Sequence, residues 1–203
     1  MPKKVDHDER RRHIAEAVLR IAGRDGLDRA TLRDVAVEAG VSLGSVQHYF
    51  GSKDEMLRYV VGYLGEHVTA RIMSRLCDLD RFRVRDFLFL MAAEMLPLDE
   101  RRRAERRAGQ AFVARAVDAP ELTEVLREGH SLLHDRVTEL IIQAQRDGEI
   151  KAGLDAGHES VALLAMIEGL ASDLLLDICA PESALETVHY HLNRLTTSPS
   201  SRP

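Results

Sequence analysis

Tryptophan is absent from this chain, and five phenylalanines and four tyrosines supply all of its 4% aromatic content. The two cysteines, Cys77 and Cys179, stand far apart in helical stretches without metal-ligand spacing, so they read as small buried hydrophobes. Prolines number only six, while Ala, Leu, Arg and Glu abound, which favours helix throughout. No run of about 18 uncharged apolar residues occurs, so no membrane span is expected. Met1 to Arg12 is charged and lacks an apolar core, so it is not a signal peptide, and the cytoplasm is the expected compartment. No nucleophile with its base, phosphate-cradling glycine loop or metal-ligand spacing is found. The chain is therefore read as no enzyme, with no cofactor.

What is present is an ordinary globular composition over 203 residues, 45% apolar and 30% charged. The formal net charge of -5 speaks against a nucleic-acid partner, but the charge is unevenly spread. Residues 1–60 hold 11 Lys and Arg against 10 Asp and Glu, and the remainder holds 17 against 23. Cations cluster early, at Lys3, Lys4 and Arg10 to Arg12. Local potential, not net charge, governs attraction to phosphate.

Periodicity predicts about nine helices and no strand, an all-α fold. The first runs from about Asp8 to Arg24, with Ile14, Val18, Ile21 and Ala22 on one face and Gly26 ending it. Thr31 caps a second that stops near Gly40, and a third spans about Leu43 to Phe50. Ser52-Lys53-Asp54-Glu55 forms a capping box opening a long fourth helix through Leu57, Val60, Val61, Leu64, Val68, Ile72 and Leu76. A fifth covers about Arg83 to Leu96, Asp99 caps a sixth reaching Val117, and a seventh runs from Pro120 to Gly148. The eighth, about Asp155 to Ile178, is apolar around most of its circumference, so it must be buried on most sides. Pro181 starts the ninth, with a narrow stripe of Leu185, Val188, Leu192 and Leu195. Helices 8 and 9 are expected to form a four-helix seam between two copies of the chain, the alternative being a purely internal core.

The informative stretch is Thr31 to Lys53. Gly40-Val41-Ser42 separates two short helices: Gly40 suits a positive φ, Val41 plugs the angle, and Ser42 caps the second helix. Val46 and Phe50 face inward with Leu32, Val35 and Ala36. Leu43, Gly44, Ser45, Gln47, His48 and Tyr49 occupy the other face, small or able to hydrogen-bond as a groove-facing surface requires. Other constellations carry less. His130 and His134 share a face at i, i+4, but no third or fourth metal ligand matches them, and His158-Glu159 lacks a second histidine. The arginines 101–103, 106 and 107 read as a solvated helix face, or alternatively as a site for an anion or acidic partner.

The pattern Ala36-x3-Gly40-Val41-Ser42-x-Gly44-x4-Tyr49-Phe50-x-Ser52-Lys53-x2-Met56-Leu57 resembles the DNA-binding signature of TetR-family regulators. Leu96-Pro97-Leu98-Asp99-Glu100 and Phe112 to Arg115 resemble the choline-sensing BetI-type C-terminal domain. The resemblance implies a helix-turn-helix domain over residues 1–54, a ligand-binding and dimerisation domain over 55–195, and a disordered tail over 196–203. It also implies a homodimer on a palindromic duplex operator. Thr31 and Arg33 would contact phosphate, with Ser42 at the start of the reading helix. Gly44 would allow close backbone approach, and Tyr49 and Lys53 would anchor phosphates. Leu43, Ser45, Gln47 and His48 would meet base edges, Gln47 pairing bidentately with adenine. The sequence departs from the family at Leu43, often basic, and at Gln47-His48, often aromatic, so no operator sequence carries over. An inducer cavity would draw on Phe87, Met91, Met95, Phe112, His130, His134, Met166 and Asp173. With so few aromatics an aromatic cage is poorly supplied, and a moderately apolar small molecule is expected. Family habit implies a repressor, and a regulator without inducer or an activator remain the alternatives.

Overall fold

The computed structural model describes residues 3–77 and 83–197. Among these residues it contains nine α-helices and no strand: α1 (Lys3–Asp25), α2 (Leu32–Glu38), α3 (Leu43–Tyr49), α4 (Lys53–Cys77), α5 (Val84–Met95), α6 (Glu100–Ala116), α7 (Pro120–Arg146), α8 (Ala156–Leu175) and α9 (Pro181–Leu195). A single 3-10 turn, Leu27–Arg29, follows α1, and it has no counterpart in the periodicity. The all-α expectation holds. The helices gather into two compact units, residues 1–67 with 99–129 and residues 68–98 with 130–203. These do not coincide with the expected division at residues 54 and 55, because α6 and the first part of α4 pack with the helix-turn-helix.

In the first unit, the apolar face of α1 buries Ile14, Val18, Ile21 and Ala22 against Val35, Val46, Phe50, Met56, Leu57 and Phe112. Gly26 leaves α1 at φ +87°, a region open to glycine at little cost. α1 packs most extensively on α6, and the approach is close at Gly23, where a Cβ would lie 2.9 Å from the Ala104 carbonyl oxygen. α2 is tied to α1 by Glu38, which accepts from Arg20 Nε at 2.8 Å and from Arg24 Nη2 at 3.2 Å. These bonds, Arg20 first, hold the Glu38 carboxyl below the usual carboxylate range. α4 is tied to α1 by Tyr63, whose hydroxyl donates to Glu16 at 2.9 Å. Burial, then that bond, pushes the Tyr63 phenol up. The Arg11 guanidinium lies 4.8 Å from the Phe50 ring centre and 4.4 Å from that of Tyr59, within cation–π range of both.

The second unit centres on Leu88, Met91, Ile141, Leu163, Ile167, Leu174, Val188 and Leu192. Glu94 of α5 is its one buried charge among the described residues; its Oε2 accepts from Arg71 Nε at 3.0 Å, and Arg75 Nη2 lies 3.0 Å from Oε1 as an ion pair. The burial of α8 is less complete than its composition suggests. Leu163, Leu164, Ile167 and Leu174 point inward, whereas Val161 is exposed. The helix also ends at Leu175 instead of Ile178. Asp177 turns to φ +53° and the Ile178 amide closes back on the Asp173 carbonyl at 2.8 Å, leaving Leu176 and Ile178 exposed. Cys179 is half-buried, and burial pushes its thiol up, as an inert cysteine requires. The side chains of Leu76 and Cys77, and those of Lys3 and Lys4, lie outside the described residues, as does the expected tail from residue 198 onward. Its first two residues are held: Thr196 bridges to Ile150, and the Thr197 amide donates to the Glu149 carbonyl at 3.0 Å.

Candidate nucleic-acid interface

The two short helices meet as their sequence requires. The Thr31 hydroxyl accepts from the Asp34 amide at 3.2 Å and caps α2. Gly40 sits at φ +65°, and the Val41 amide returns to the Ala36 carbonyl at 2.9 Å. The Ser42 hydroxyl then accepts from the Ser45 amide at 3.1 Å and starts α3. Val46 and Phe50 are wholly buried, so the orientation of α3 is set by its inner face. Ser52 likewise accepts from the Glu55 amide, but Glu55 reaches back one residue further than a capping box, to the Gly51 amide at 2.8 Å.

The outer face of α3 is what this scaffold presents. Gly44, Gln47 and His48 are exposed, and Leu43, Ser45 and Tyr49 are partly so. The helix carries no acidic residue, leaving amide, imidazole and hydroxyl groups, a small glycine patch and one apolar side chain. That chemistry suits base edges and thymine methyls in a major groove, which admits one helix. Arg33 is exposed on α2, while the Thr31 hydroxyl is already engaged, donating to Asp34 Oδ2 at 2.5 Å. Lys53 is half-buried, its Nζ 3.5 Å from the carbonyls of Leu27 and Asp28.

One neighbour of this face was not legible in the motif. His7, in the second turn of α1, packs its ring against Tyr49 at 4.8 Å between centres and 64° between planes. His48 meets the same ring at 5.1 Å and 76°. His7 lies far from α3 in sequence, and no local spacing pointed to the pair.

The expected cavity residues separate. Phe87, Met91, Met95 and Met166 belong to the apolar cluster of the second unit, and Asp173 is half-buried on α8. Phe112 is wholly buried in the core of the first unit instead, because the face of α6 that carries it covers α1. On α7, His130 is exposed and His134 half-buried, its carbonyl accepting from the buried Ser160 hydroxyl at 3.1 Å. Among the described residues no group of three His, Cys, Asp or Glu side chains is placed to hold a metal. No described helix is long and apolar enough to cross a membrane.

Two family descriptions match the sequence: "Bacterial regulatory proteins, tetR family" over residues 14–60, and "BetI-type transcriptional repressor, C-terminal" over residues 84–197. The HTH-type transcriptional regulator PksA of Bacillus subtilis is 32% identical over 182 residues, covering 87% of this chain and 84% of PksA. A transcriptional regulator of Rhodococcus sp. Rha1 superposes with a TM-score of 0.78 at 29% identity, over 91% of this chain and 95% of that one. A regulator of Saccharomonospora viridis, solved with choline, has the same fold, with a TM-score of 0.78 at 20% identity over 94% of this chain and all of that one.

Proposed function

Because this chain belongs to the TetR family of bacterial regulatory proteins and is a DNA-binding transcriptional regulator, we propose that it is a dimeric repressor released from a palindromic operator by a small molecule. The carrying observation is the outer face of α3, exposed, free of carboxylates and locked by its inner face. In this reading Gln47, His48, Ser45 and Leu43 meet base edges. Tyr49, Lys53, Arg33 and the α2 end at Thr31 fix the register on phosphates, and Gly44 lets the backbone approach.

The dimer is assigned to α8 and α9. Support comes from apolar side chains left exposed there, Val161 and Tyr190 at 53% and 68%, with Leu176 and Ile178 just beyond α8. The inducer is assigned to the second unit, near Phe87, Met91, Met95, Met166 and Asp173, with His134 at hand on α7. Phe112 and the exposed His130 drop out of that set. The choline complex of the Saccharomonospora relative shows a small molecule held by this fold. α4 is one unbroken helix with residues 53–67 in the first unit and 68–77 in the second, so a shift of its second half reaches the DNA-binding unit. Two recognition helices must meet successive major grooves, about 34 Å apart, and small changes in their separation weaken binding.

A gel shift on DNA upstream of the protein's own gene, repeated with fractionated metabolite extracts, tests this. The expected result is a sequence-specific shift that one fraction abolishes, with operator lowering affinity for the active compound by the same factor. A shift that no fraction alters would leave a regulator without inducer, and a lack of any shift would remove the reading altogether.

A further inference from the structure

The guanidinium that packs on Phe50 and Tyr59 is a permanent charge, and among the described residues nothing accepts a hydrogen bond from it. We propose that Arg11, on α1 and outside the helix-turn-helix motif, is a DNA-binding residue that donates to an operator phosphate beside the end of α3. The proposal rests on the assignment of α3 as the reading helix.

Arginine carries five N–H donors and no acceptor, and buried donors are ordinarily hydrogen-bonded. The Arg11 side chain is only 26% exposed, and its Nε is enclosed without a hydrogen-bond partner. Its ion pair with Glu55 runs from Nη2 to Oε1 at 3.7 Å, too long for a hydrogen bond. The other Glu55 oxygen is engaged, accepting from the Gly51 amide at 2.8 Å. The Phe50 and Tyr59 rings, 4.8 and 4.4 Å away, hold the head in place without using its donors. Methionine or leucine would fill such a space at lower cost, since burying a charge is unfavourable unless it is paired and hydrogen-bonded. A guanidinium kept here with its donors unused is suited to an anion that arrives from outside, and its planar fork matches phosphate.

The place of the side chain directs those donors to DNA. Phe50 caps the end of α3 and Glu55 stands in the first turn of α4, so the Arg11 head lies beside the link that joins the two helices. Tyr49 and Lys53, both assigned to phosphates, flank that link, and Gly51 and Ser52 within it are exposed. The nearby charges are mixed: Arg12 and Asp8 of α1 and Glu66 of α4 act with Arg11 on the Tyr59 phenol. The contact therefore comes from one directed guanidinium and not from a basic patch. Glu55 is its counter-ion in the absence of DNA, and a phosphate hydrogen-bonded to the fork outcompetes a carboxylate held at 3.7 Å.

The test is fluorescence anisotropy of the full-length protein on a labelled duplex from upstream of its own gene, with a shuffled duplex as control. Wild type, Arg11→Met, Arg11→Lys and Glu55→Gln are titrated between about 50 and 200 mM salt. All are run at about pH 8, where histidine is neutral. Arg11→Met keeps an apolar side chain on the rings, and it should bind both duplexes roughly tenfold more weakly at the lowest salt. Its salt slope should fall by about 0.9 for each half-site, which loss of packing alone would not cause. Arg11→Lys keeps the charge without the fork, so it should bind more weakly than wild type with the wild-type slope. Glu55→Gln still offers the Gly51 amide an acceptor but frees Arg11 of its counter-ion, and it should bind both duplexes more tightly. An Arg11→Met protein that keeps the wild-type slope overturns the proposal, whatever its affinity, and so does a slope that falls equally in Arg11→Lys. If Arg11→Met does not fold, Glu55→Gln decides, and unchanged or weaker binding by it overturns the proposal. Failure of wild type to prefer its own duplex at any salt overturns the reading of α3 instead.

Discussion

Glu94 offers the sharpest perturbation, because its cost follows from geometry. The carboxylate is fully enclosed, while the side chains of its partners Arg71 and Arg75 are 19% and 50% exposed. Glu94→Gln preserves shape but removes the carboxylate charge that sits 3.0 Å from each of two guanidiniums. Removing one partner of a buried ion pair costs about 3–5 kcal/mol. Arg75 can turn its half-exposed head into water, so its share is largely recovered, and Arg71 carries most of the loss. The expected destabilisation is about 2–3 kcal/mol, a fall in Tm of roughly 5–10 °C for a chain of this size. The assay is thermal unfolding by circular dichroism at fixed protomer concentration, since dimerisation makes Tm concentration-dependent. The companion variant Glu94→Leu with Arg71→Met replaces the pair by apolar groups and should be clearly more stable than Glu94→Gln. A Glu94→Gln protein that melts with wild type, or a double variant below the single one, refutes the claim that this charge is paid for by its arginines.

Gly23→Ala drives a Cβ to 2.9 Å from the Ala104 backbone, which no rotamer can relieve, so about 1–3 kcal/mol of stability should be lost in urea unfolding. Gln47→Ala should lower operator affinity and relax preference at one base pair, worth roughly 1–3 kcal/mol, while leaving shuffled DNA unaffected in the anisotropy assay. Lys53→Ala should weaken binding to every duplex and reduce the salt slope by about 0.9 per half-site; an unchanged slope means its ammonium stays with the 3-10 turn. Acid unfolding reads Glu38. Its carboxyl is depressed in the folded state, so its stabilisation is complete above the ordinary value of 4.5 and vanishes as pH falls through the lower folded one. Glu38→Gln should therefore be less stable near neutrality and lose that part of the acid dependence.

Much of this architecture was legible because the sequence states its boundaries in local chemistry. Thr31, Gly40, Ser42, Asp99, Asp155 and Pro181 each act within one turn, and each appears where expected. The end of α8 was overrun because hydrophobic periodicity continues through Leu176 and Ile178, whereas the chain stops where Asp177 accepts a left-handed turn. Phe112 and His7 failed for another reason. A buried phenylalanine on α6 looks the same in sequence whichever core it enters, and the packing of α6 on α1, close enough at Gly23 to exclude a side chain beside Ala104, places it in the first unit. His7 joins Tyr49 by tertiary packing, which no periodicity records.

Net charge misled most easily, and the structure shows why it need not matter. Several acidic residues of the first unit pair with its own arginines: Glu38 with Arg20 and Arg24, Glu55 with Arg11, Glu121 with Arg58, Asp99 with Arg102. None of these acids lies on α3, which carries no acidic residue. On the proposed reading, α3 itself brings no lysine or arginine to phosphate, so its discrimination would come from hydrogen bonds made by a rigidly held helix. Rigidity then becomes the functional requirement. On the proposed reading, the buried Val46 and Phe50 would serve operator recognition as directly as Gln47, by holding α3 within the narrow geometry that a bidentate contact to a base demands.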